Sequence, residues 1–525
     1  MRTKRSKVRS ELQTVLDTHG FAWPIDYIVS LSLGAISFVI LYVGFWFPRE
    51  KIFDEVYFAR AAEEYLHRRY IYENTHPPIA KLLITLSTVM FGDNSYGWRF
   101  LDVVSGAVAV WLLYALLKRV TGSTLFAAYG AALLMFDGMH FVQSRIATPE
   151  SFVVCFAIAT LYTFYRYWTA AEANPEAPSP RAALWVRAAG ALASAVVAIG
   201  LIALRFPHES MAARIVATLY AYAGCYLIYR VLLEPRIVGT TPPKESRTKT
   251  IWLFLFALSV ALLVASKWYG VMACGVAFSI VLYVWVRERF TRGSNLRTFA
   301  LDVMLAAVVF VTGTLYFASY TPQFIGLSDT PSSPPRAYSL TDVVNLQYNA
   351  FEYHEHLRAT HMYQSRWWQW PLELRPILYY AKYGRQGATS TAAMIYTLPN
   401  PLILWLGLLT VPFVAYLGIK ERNKAYILIC LTYAAQWLPW IGSPRISFAY
   451  HFYVDIPLIC ACAAITMEQV WVAWCSTERR ALAQIFAAGY LAAVMIAFVY
   501  FYPILSGMTI SSAAWMQRMW LPSWV

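Results

Sequence analysis

The first apolar stretch of the chain, YIVSLSLGAISFVILYVGFWF (27–47), contains no charged residue. It matches the roughly 20 residues that a helix needs to cross a lipid bilayer. Runs of this kind recur along the chain, in which 59% of the 525 residues are hydrophobic and only 14% are charged. Because lipid cannot satisfy free backbone N–H and C=O groups, such runs must be helical. The sequence therefore predicts an all-α polytopic membrane protein.

The basic residues indicate which loops face the cytoplasm. The net charge is +14, and Lys and Arg lie mostly in short connections between apolar runs, which the positive-inside rule explains better than nucleic-acid binding does. The chain opens on MRTKRSKVRS, so residues 1–27 are expected to form a cytoplasmic tail. About 11–13 transmembrane helices are expected, with approximate bounds 28–47, 98–117, 124–141, 150–168, 183–204, 211–233, 251–266, 268–286, 299–319, 396–419, 425–441, 453–474 and 481–504.

This topology divides the rest of the chain into three regions. They are an N-terminal transmembrane region (28–319), an outer loop or lid (320–394) and a C-terminal transmembrane region (395–525). The two largest polar stretches are the first outer loop (48–97) and the segment 320–394, and both fall on the outer side. We therefore expect the chemistry of the protein to lie in these two segments.

Two adjacent carboxylates, Asp54 and Glu55, follow the first span in the sequence FDEVYF (53–58). Apolar residues then recur at helical spacing, with Arg60 and Glu64 on the other face, so the pair stands at the start of an amphipathic helix in the membrane interface. One interpretation is a helix cap, because the helix dipole favours acids at this end. The other is a catalytic site in which one carboxylate accepts a proton from an alcohol and the other orients the acceptor or tunes the first.

The sequence HPPIAKLL (76–83) places a lysine near the start of a second helix. Two prolines suit the first turn of a helix, but Lys81 then lies near the positive end of the dipole, which disfavours a cation. A bound anion would resolve this conflict, so Lys81 is a candidate phosphate ligand. The alternative is a lysine that extends to the lipid head groups. Arg99 is either a second phosphate ligand or an interface anchor.

The second outer segment is rich in histidine and tryptophan. His354, His356 and His361 lie close together in the sequence, and they fit a metal site, structural hydrogen bonding, or contact with a donor phosphate or its leaving oxygen. We favour the phosphate contact. The stretch RWWQWP (366–371) fits an aromatic belt, or a platform and lid for a sugar ring.

Several long stretches resemble motifs of the protein O-mannosyltransferases, which are membrane glycosyltransferases of the C-type fold. The resemblance is carried by FDEVYF (53–58), HPPIAKLL (76–83), SRIATPES (144–151), YHEHLRATHMYQSRWWQWPLELRPILYY (353–380), WLPWIGSPRISFAYHFYVDIP (437–457) and AWMQRMWLPSW (514–524). These motifs occur in the family's order and extend from residue 53 to residue 524.

The resemblance implies an enzyme that moves mannose from a polyprenyl phosphate donor to Ser or Thr hydroxyls of secreted proteins as they emerge from translocation. Asp54 would take the hydroxyl proton in an inverting single displacement, with Glu55 beside it. The donor phosphate would contact Lys81, Arg99, Arg145, His354, His361 and Arg445. The sugar or the acceptor would contact His76, Glu150, Tyr353, Trp367, Trp368, Trp370, Tyr450 and His451. No cofactor is implied, because the lipid-linked sugar is a substrate, and a divalent-metal requirement stays open.

The sequence departs from the family pattern at three places. Glu150 stands where the family usually has Asp, the hairpin 183–233 looks like an insertion, and the segment 320–394 is too short to hold the β-trefoil domain of the eukaryotic members. The last departure favours a bacterial plasma-membrane protein with its active site on the extracytoplasmic side. The alternatives are a C-type transferase that acts on a glycan or lipid acceptor, and a transporter, although the acids cluster at one surface and no inverted repeat is visible.

Overall fold

A computed structural model describes residues 22–173, 175, 181–238, 246–290, 298–387, 389–475 and 479–525. The predicted cytoplasmic tail (1–27) therefore lies mostly outside the described residues. The α-helices are α1 (Ala22–Tyr42), α2 (Glu55–Leu66), α3 (Ile79–Phe91), α4 (Ser95–Thr121), α5 (Thr124–Met135), α6 (Gly138–Gln143), α7 (Glu150–Ala173), α8 (Arg181–Arg205), α9 (Met211–Ile228), α10 (Glu234–Val238), α11 (Ser246–Val264), α12 (Val271–Phe290), α13 (Leu301–Ser319), α14 (Thr321–Ile325), α15 (Leu340–His356), α16 (Pro401–Glu421), α17 (Lys424–Trp437), α18 (Ile456–Cys475), α19 (Arg480–Ser506) and α20 (Ser512–Met516). The strands are β1 (Leu327–Ser328), β2 (Pro335–Arg336), β3 (Ile377–Gln386), β4 (Thr389–Thr397) and β5 (Thr509–Ser511).

Within the described residues, 11 helices are long and apolar enough to cross a membrane, in agreement with the predicted range. The predicted span 124–141 is wrong as a single helix. Helix α5 ends at Met135, and Asp137 starts the separate short helix α6 by accepting a hydrogen bond from the His140 N–H at 2.8 Å. The carboxylate cap satisfies a backbone donor that a continuous helix would have paired internally.

The prediction of an all-α protein holds for the membrane-spanning part, but a small sheet is built from strands of the second outer segment and of the C-terminal region. Strands β3, β4 and β5 form an antiparallel sheet in that order, and β3 and β4 are a hairpin whose register runs from Ile377 opposite Thr397 to Gln386 opposite Thr389. An open sheet is possible here because water can satisfy its edges, as lipid cannot. Both strands of the hairpin contain aromatic and β-branched residues, which favour strands.

The chain forms two compact units. Unit 1 contains the described residues up to Ala62 together with Leu83–Ile158 and Leu357–Val525, and unit 2 contains Glu63–Leu82 and Ala159–His356. The three regions predicted from the sequence stay a prediction.

In unit 1, α1 packs on α4, α4 packs on α5, and α18 packs on both α5 and α16. A core that includes Phe45, Phe141, Ile377 and Phe501 joins the end of α1, helix α6, the sheet and α19. The loop that follows α1 is fixed against this core. In unit 2, α8 packs on α9, and α13 packs on both α9 and α11, so the hairpin 183–233 is part of the helical core of that unit.

Helix α2 is the predicted amphipathic helix. Phe58, Ala62 and Tyr65 are buried and Arg60 is exposed, as expected. Glu64, which was predicted on the polar face, is buried instead. Its Oε2 accepts a hydrogen bond from the Tyr72 N–H at 2.9 Å, which compensates for the burial.

Candidate active site

The turn before α2 has an unusual backbone. Phe53 adopts a φ of 46°, in the left-handed region that side chains other than glycine rarely occupy. Its ring stacks on Tyr379, with centroids 4.1 Å apart and an angle of 19° between the planes. The next residue, Asp54, accepts backbone hydrogen bonds from Tyr57 and Phe58 at its carbonyl oxygen. The stack therefore holds a strained residue in place directly before the candidate base.

Glu55 is completely buried and is held by four hydrogen bonds. Its two oxygens accept from Arg99 Nε at 2.6 Å and Nη2 at 2.7 Å, and from the backbone N–H groups of Ile52 at 3.0 Å and Ala147 at 2.8 Å. The arrangement is a bidentate ion pair between two side chains that are 0% exposed. Glu55 thereby ties the start of α2 to α4 and to the loop before α7.

Arg99 has no N–H group left for a substrate. Its remaining donors bond to the carbonyl oxygens of Phe45 at 3.1 Å, Pro48 at 2.8 Å and Glu50 at 3.2 Å. With the two bonds to Glu55, these contacts use all the donors of the guanidinium. The geometry argues against the predicted phosphate contact and supports a positioning role.

The two adjacent carboxylates, which look alike in the sequence, differ in their exposure to solvent. Asp54 is partly exposed, whereas Glu55 is enclosed. Because Glu55 is fully buried and both its oxygens accept hydrogen bonds from Arg99 and the backbone, it acts as an anchor for the turn. Asp54 is the carboxylate of the pair that a substrate can approach.

Tyr379 brings further polar groups to Asp54. Its hydroxyl accepts a hydrogen bond from Gln143 Nε2 at 2.9 Å. Burial raises the pKa of Tyr379 well above its usual value, and the negative charges of Glu150 and Asp54 add to the rise. The charges of Asp54 and of Glu150, a predicted contact of the sugar or acceptor, therefore act on the same hydroxyl group. Neither Tyr379 nor Gln143 was predicted, although RPILYY and the residues just before SRIATPES mark their positions.

Arg145, another predicted phosphate ligand, is a buried cation of unit 1. Its Nη2 donates to the Val43 carbonyl at 2.9 Å and its guanidinium lies 4.2 Å from the Phe141 ring centre. Nη1 is buried without a hydrogen bond of good geometry to any described residue, although the Tyr502 phenol lies close to the group. Burial lowers the pKa of Arg145 to about 10, so it stays charged at neutral pH. It lines a narrow cavity of about 10 Å³ together with Tyr379, which leaves room for about one water molecule.

In unit 2, Lys81 is buried and holds the loop before α3. Its Nζ donates to the Glu73 carbonyl at 2.6 Å, to Glu73 Oε2 at 2.8 Å and to the His76 carbonyl at 2.8 Å. Burial alone would raise the pKa of Glu73, but the charge of Lys81 and the contact with His76 hold that pKa well below its usual value. The anion beside Lys81 is thus a carboxylate of the same chain, and the contacts argue against the predicted phosphate role.

The predicted histidines do not form one group. His76 Nδ1 lies 2.8 Å from Glu73 Oε1, and burial lowers the pKa of His76, so its neutral ring donates this hydrogen bond. His354 donates from Nε2 to the Thr75 carbonyl at 3.1 Å, and its ring contacts that of His76. These residues belong to unit 2, as does the exposed Tyr353. His361 belongs to unit 1, where it is exposed and accepts a hydrogen bond at Nδ1 from the Tyr363 N–H at 3.1 Å.

The predicted aromatic platform divides into a buried part and an exposed part. Trp370 is only 2% exposed, donates to Ser365 Oγ at 3.0 Å and stacks on His451. His451 in turn lies against the ring of Tyr450, with centroids 4.4 Å apart. Trp368 is 44% exposed, and it remains the tryptophan best placed for a ligand.

Two other predicted residues, Trp367 and Arg445, also belong to unit 1. Trp367 is half-buried, and its carbonyl accepts the indole N–H of Trp437 at 2.9 Å. Arg445 is half-buried in the loop between α17 and α18. Among the residues described, no group of three or more His, Cys, Asp or Glu side chains is arranged to hold a metal ion.

Comparison with known proteins shows which protein family this chain resembles. Family models described as dolichyl-phosphate-mannose-protein mannosyltransferase match residues 31–96 and 75–193, and the model of the C-terminal four-span region of protein O-mannosyltransferase matches residues 339–524. The polyprenol-phosphate-mannose–protein mannosyltransferase of Mycobacterium tuberculosis is 27% identical, over 90% of this chain and 86% of its own.

Two solved structures have the same fold. The S. cerevisiae protein O-mannosyltransferase Pmt1–Pmt2 complex bound to the sugar donor aligns with a TM-score of 0.67 at 13% identity, covering 95% of this chain and 92% of the other. ArnT from Cupriavidus metallidurans bound to undecaprenyl phosphate aligns with a TM-score of 0.51 at 13% identity, covering 91% and 76%. The protein is therefore a polytopic membrane glycosyltransferase of the C-type fold. Within that class, the chain belongs to the protein O-mannosyltransferase family, as its motifs predicted.

Proposed function

We propose that this protein transfers mannose from a polyprenyl phosphate donor to Ser or Thr hydroxyl groups of protein acceptors. The observation that carries the proposal is the position of Asp54, a partly exposed residue whose neighbours Phe53 and Glu55 are held by the Tyr379 stack and the Arg99 ion pair. The names of the relatives supply the donor and the class of acceptor.

The reaction would be a single displacement. Asp54 takes the proton of the acceptor hydroxyl while that oxygen attacks the anomeric carbon of the mannose. The bond from this carbon to the phosphate oxygen breaks, and polyprenyl phosphate leaves with the bonding electrons. Attack from the face opposite the phosphate inverts the anomeric configuration, and one base is sufficient for this route.

Arg145 would stabilise the charge that develops on the leaving phosphate, because its buried guanidinium has an Nη1 group without a well-formed hydrogen bond. The narrow cavity beside it would have to widen to admit the phosphate. His361 and Arg445 are further candidates for the phosphate, and Trp368, Glu150 and Tyr450 for the sugar or acceptor. Arg99 and Lys81 would position loops.

We further propose that the site faces the extracytoplasmic side of a bacterial plasma membrane, with the N-terminus in the cytoplasm. The positive-inside rule supports this orientation. A lipid-linked donor suits it, because nucleotide sugars remain in the cytoplasm.

The test is transfer by the purified protein in lipid nanodiscs, with polyprenyl phosphate mannose and a Ser/Thr-rich peptide. We expect a mannosylated peptide whose anomeric configuration is opposite to that of the donor. Asp54→Asn should reduce the rate at least about 100-fold while leaving donor binding unchanged. Near-normal transfer by Asp54→Asn would exclude Asp54 as the base, and transfer to a glycan or lipid but not to peptide would redirect the acceptor assignment.

A further inference from the structure

Strand β3 forms an open edge of the sheet in unit 1. The strand order is β3-β4-β5, so β4 is central and, within the part of the chain that the structure describes, β3 pairs on one side only. β3 extends over 10 residues, whereas β5, at the other edge, has 3. A long unprotected edge presents a row of N–H and C=O groups that can pair with another extended chain.

The outer half of β3 is accessible along its whole length. Every residue from Ala381 to Gln386 is exposed, including Ala381 and Gly384, whose small or absent side chains leave the main chain easy to approach. By contrast, β4 is buried from Thr391 to Thr397. Outside the sheet, none of the described residues makes a backbone hydrogen bond to Ala381–Gln386.

The other half of β3 leads to the candidate active site. Tyr379 is part of the strand and stacks on Phe53, next to Asp54. The charge of Asp54 acts on the Tyr379 hydroxyl, which places the carboxylate within electrostatic range of the strand. A chain that pairs with the open edge would therefore be directed along β3 toward Asp54.

We propose that the open edge of β3 binds the acceptor polypeptide as an added strand, a role that rests on the proposed function and specifies how its protein substrate is held. Pairing of this kind uses main-chain hydrogen bonds and tolerates varied side chains. The exposed half of β3 spans about 20 Å at roughly 3.3 Å per residue, which corresponds to about six residues of acceptor. Side chains of an added strand alternate between two faces, so the strand also determines which hydroxyl is presented to Asp54.

The first experiment uses acceptor peptides with one Thr and a single N-methylated backbone nitrogen, which is moved along the peptide one residue at a time. N-methylation removes one N–H donor and sterically blocks pairing at that residue. Because alternate residues of an added strand point their N–H groups toward β3, we expect the peptide KM to rise about 3- to 10-fold at every second position. The donor KM should not change. A peptide methylated beyond the paired stretch is the matched control.

The second experiment needs no turnover. Tyr383→Cys is combined with peptides that contain one cysteine at successive positions, and disulfide formation is measured. We expect the yield to alternate with a period of two residues, because only one face of an added strand lies beside Tyr383. Ser390→Cys is the control, since Ser390 is also exposed but lies on strand β4, with β3 between it and the added strand.

The outcomes separate this inference from the proposed function. Peptide mannosylation with an aperiodic response to N-methylation would overturn the edge pairing and leave the transferase intact. Absence of transfer to any peptide would overturn the proposed function, and the crosslinking pattern would still decide whether the edge binds extended chains. Preferential formation of a Tyr383→Cys homodimer would assign the edge to a second copy of this chain and refute the proposal.

Discussion

Replacement of Glu55 by Gln tests the role that the structure gives to this carboxylate. Glu55 accepts four hydrogen bonds, two from Arg99 and two from backbone N–H groups. An amide of the same shape has one acceptor oxygen and one NH2 group, so two of the four donors would meet another donor. The positive charge of Arg99 would also lose its counter-charge while remaining buried.

The expected cost is large for an isosteric change. Removal of one partner from a buried ion pair costs about 3–5 kcal/mol, because the other charge stays uncompensated. Arg99 is 0% exposed, and every partner that it has in the variant is neutral. We therefore expect Glu55→Gln to lower the melting temperature clearly and to reduce activity through misplacement of Asp54. Asp54→Asn should reduce activity with little effect on melting.

The assay is thermal unfolding of both variants in the same detergent, with transfer activity measured in parallel. A cycle with Arg99→Gln adds a test of coupling, because the double variant restores a neutral pair. Its loss of stability should be smaller than the sum of the two single losses by up to about 3 kcal/mol. If Glu55→Gln melts like the wild type, or if the losses simply add, the buried ion pair does not hold the turn.

Two further predictions concern the other charged groups. Arg145→Ala should raise the KM of the lipid phosphate donor by at least about 10-fold, as expected for a charge-assisted contact, while Arg145→Lys should lose less; unchanged donor KM in both variants would place the phosphate elsewhere. The lowered pKa of Glu73 implies a contribution to stability that is fully present above about pH 4.5 and is lost as the pH falls from there through its folded-state pKa, so Glu73→Gln should lower the melting temperature more at pH 7 than at an acidic pH below about 4.5. An equal difference in melting temperature between the wild type and Glu73→Gln at both pH values would contradict the ion pair with Lys81.

The helices could be predicted because their causes are local, whereas the site residues stay a prediction. Apolar runs of bilayer length identify membrane helices, and the period of apolar residues identified α2. The difference between Asp54 and Glu55 could not be predicted, since adjacent acids look alike in a sequence. It depends on Arg99, which is 44 positions from Glu55 and reaches it only in the folded structure.

The sequence correctly predicted an anion beside Lys81, but the anion in the structure is a different group from the one expected. A lysine near a helix N-terminus predicted a neighbouring anion. The anion is present, but it is the carboxylate of Glu73, which approaches because the intervening loop folds back on α3. Loop conformation of this kind is not encoded in a local pattern. The hairpin of β3 and β4 was missed for a related reason, because the whole segment 320–394 was treated as a loop.

The contacts around Asp54 give a physical reason for a second acid beside the proposed base. A base at a membrane surface must be reachable by the acceptor and also held in a defined direction, and a solvent-accessible side chain alone does not meet the second requirement. Here the residues on either side of Asp54 supply it, since Phe53 is held by Tyr379 and Glu55 by Arg99. The strained φ of Phe53 is maintained by these neighbours. One carboxylate is therefore buried to fix the backbone that presents the other.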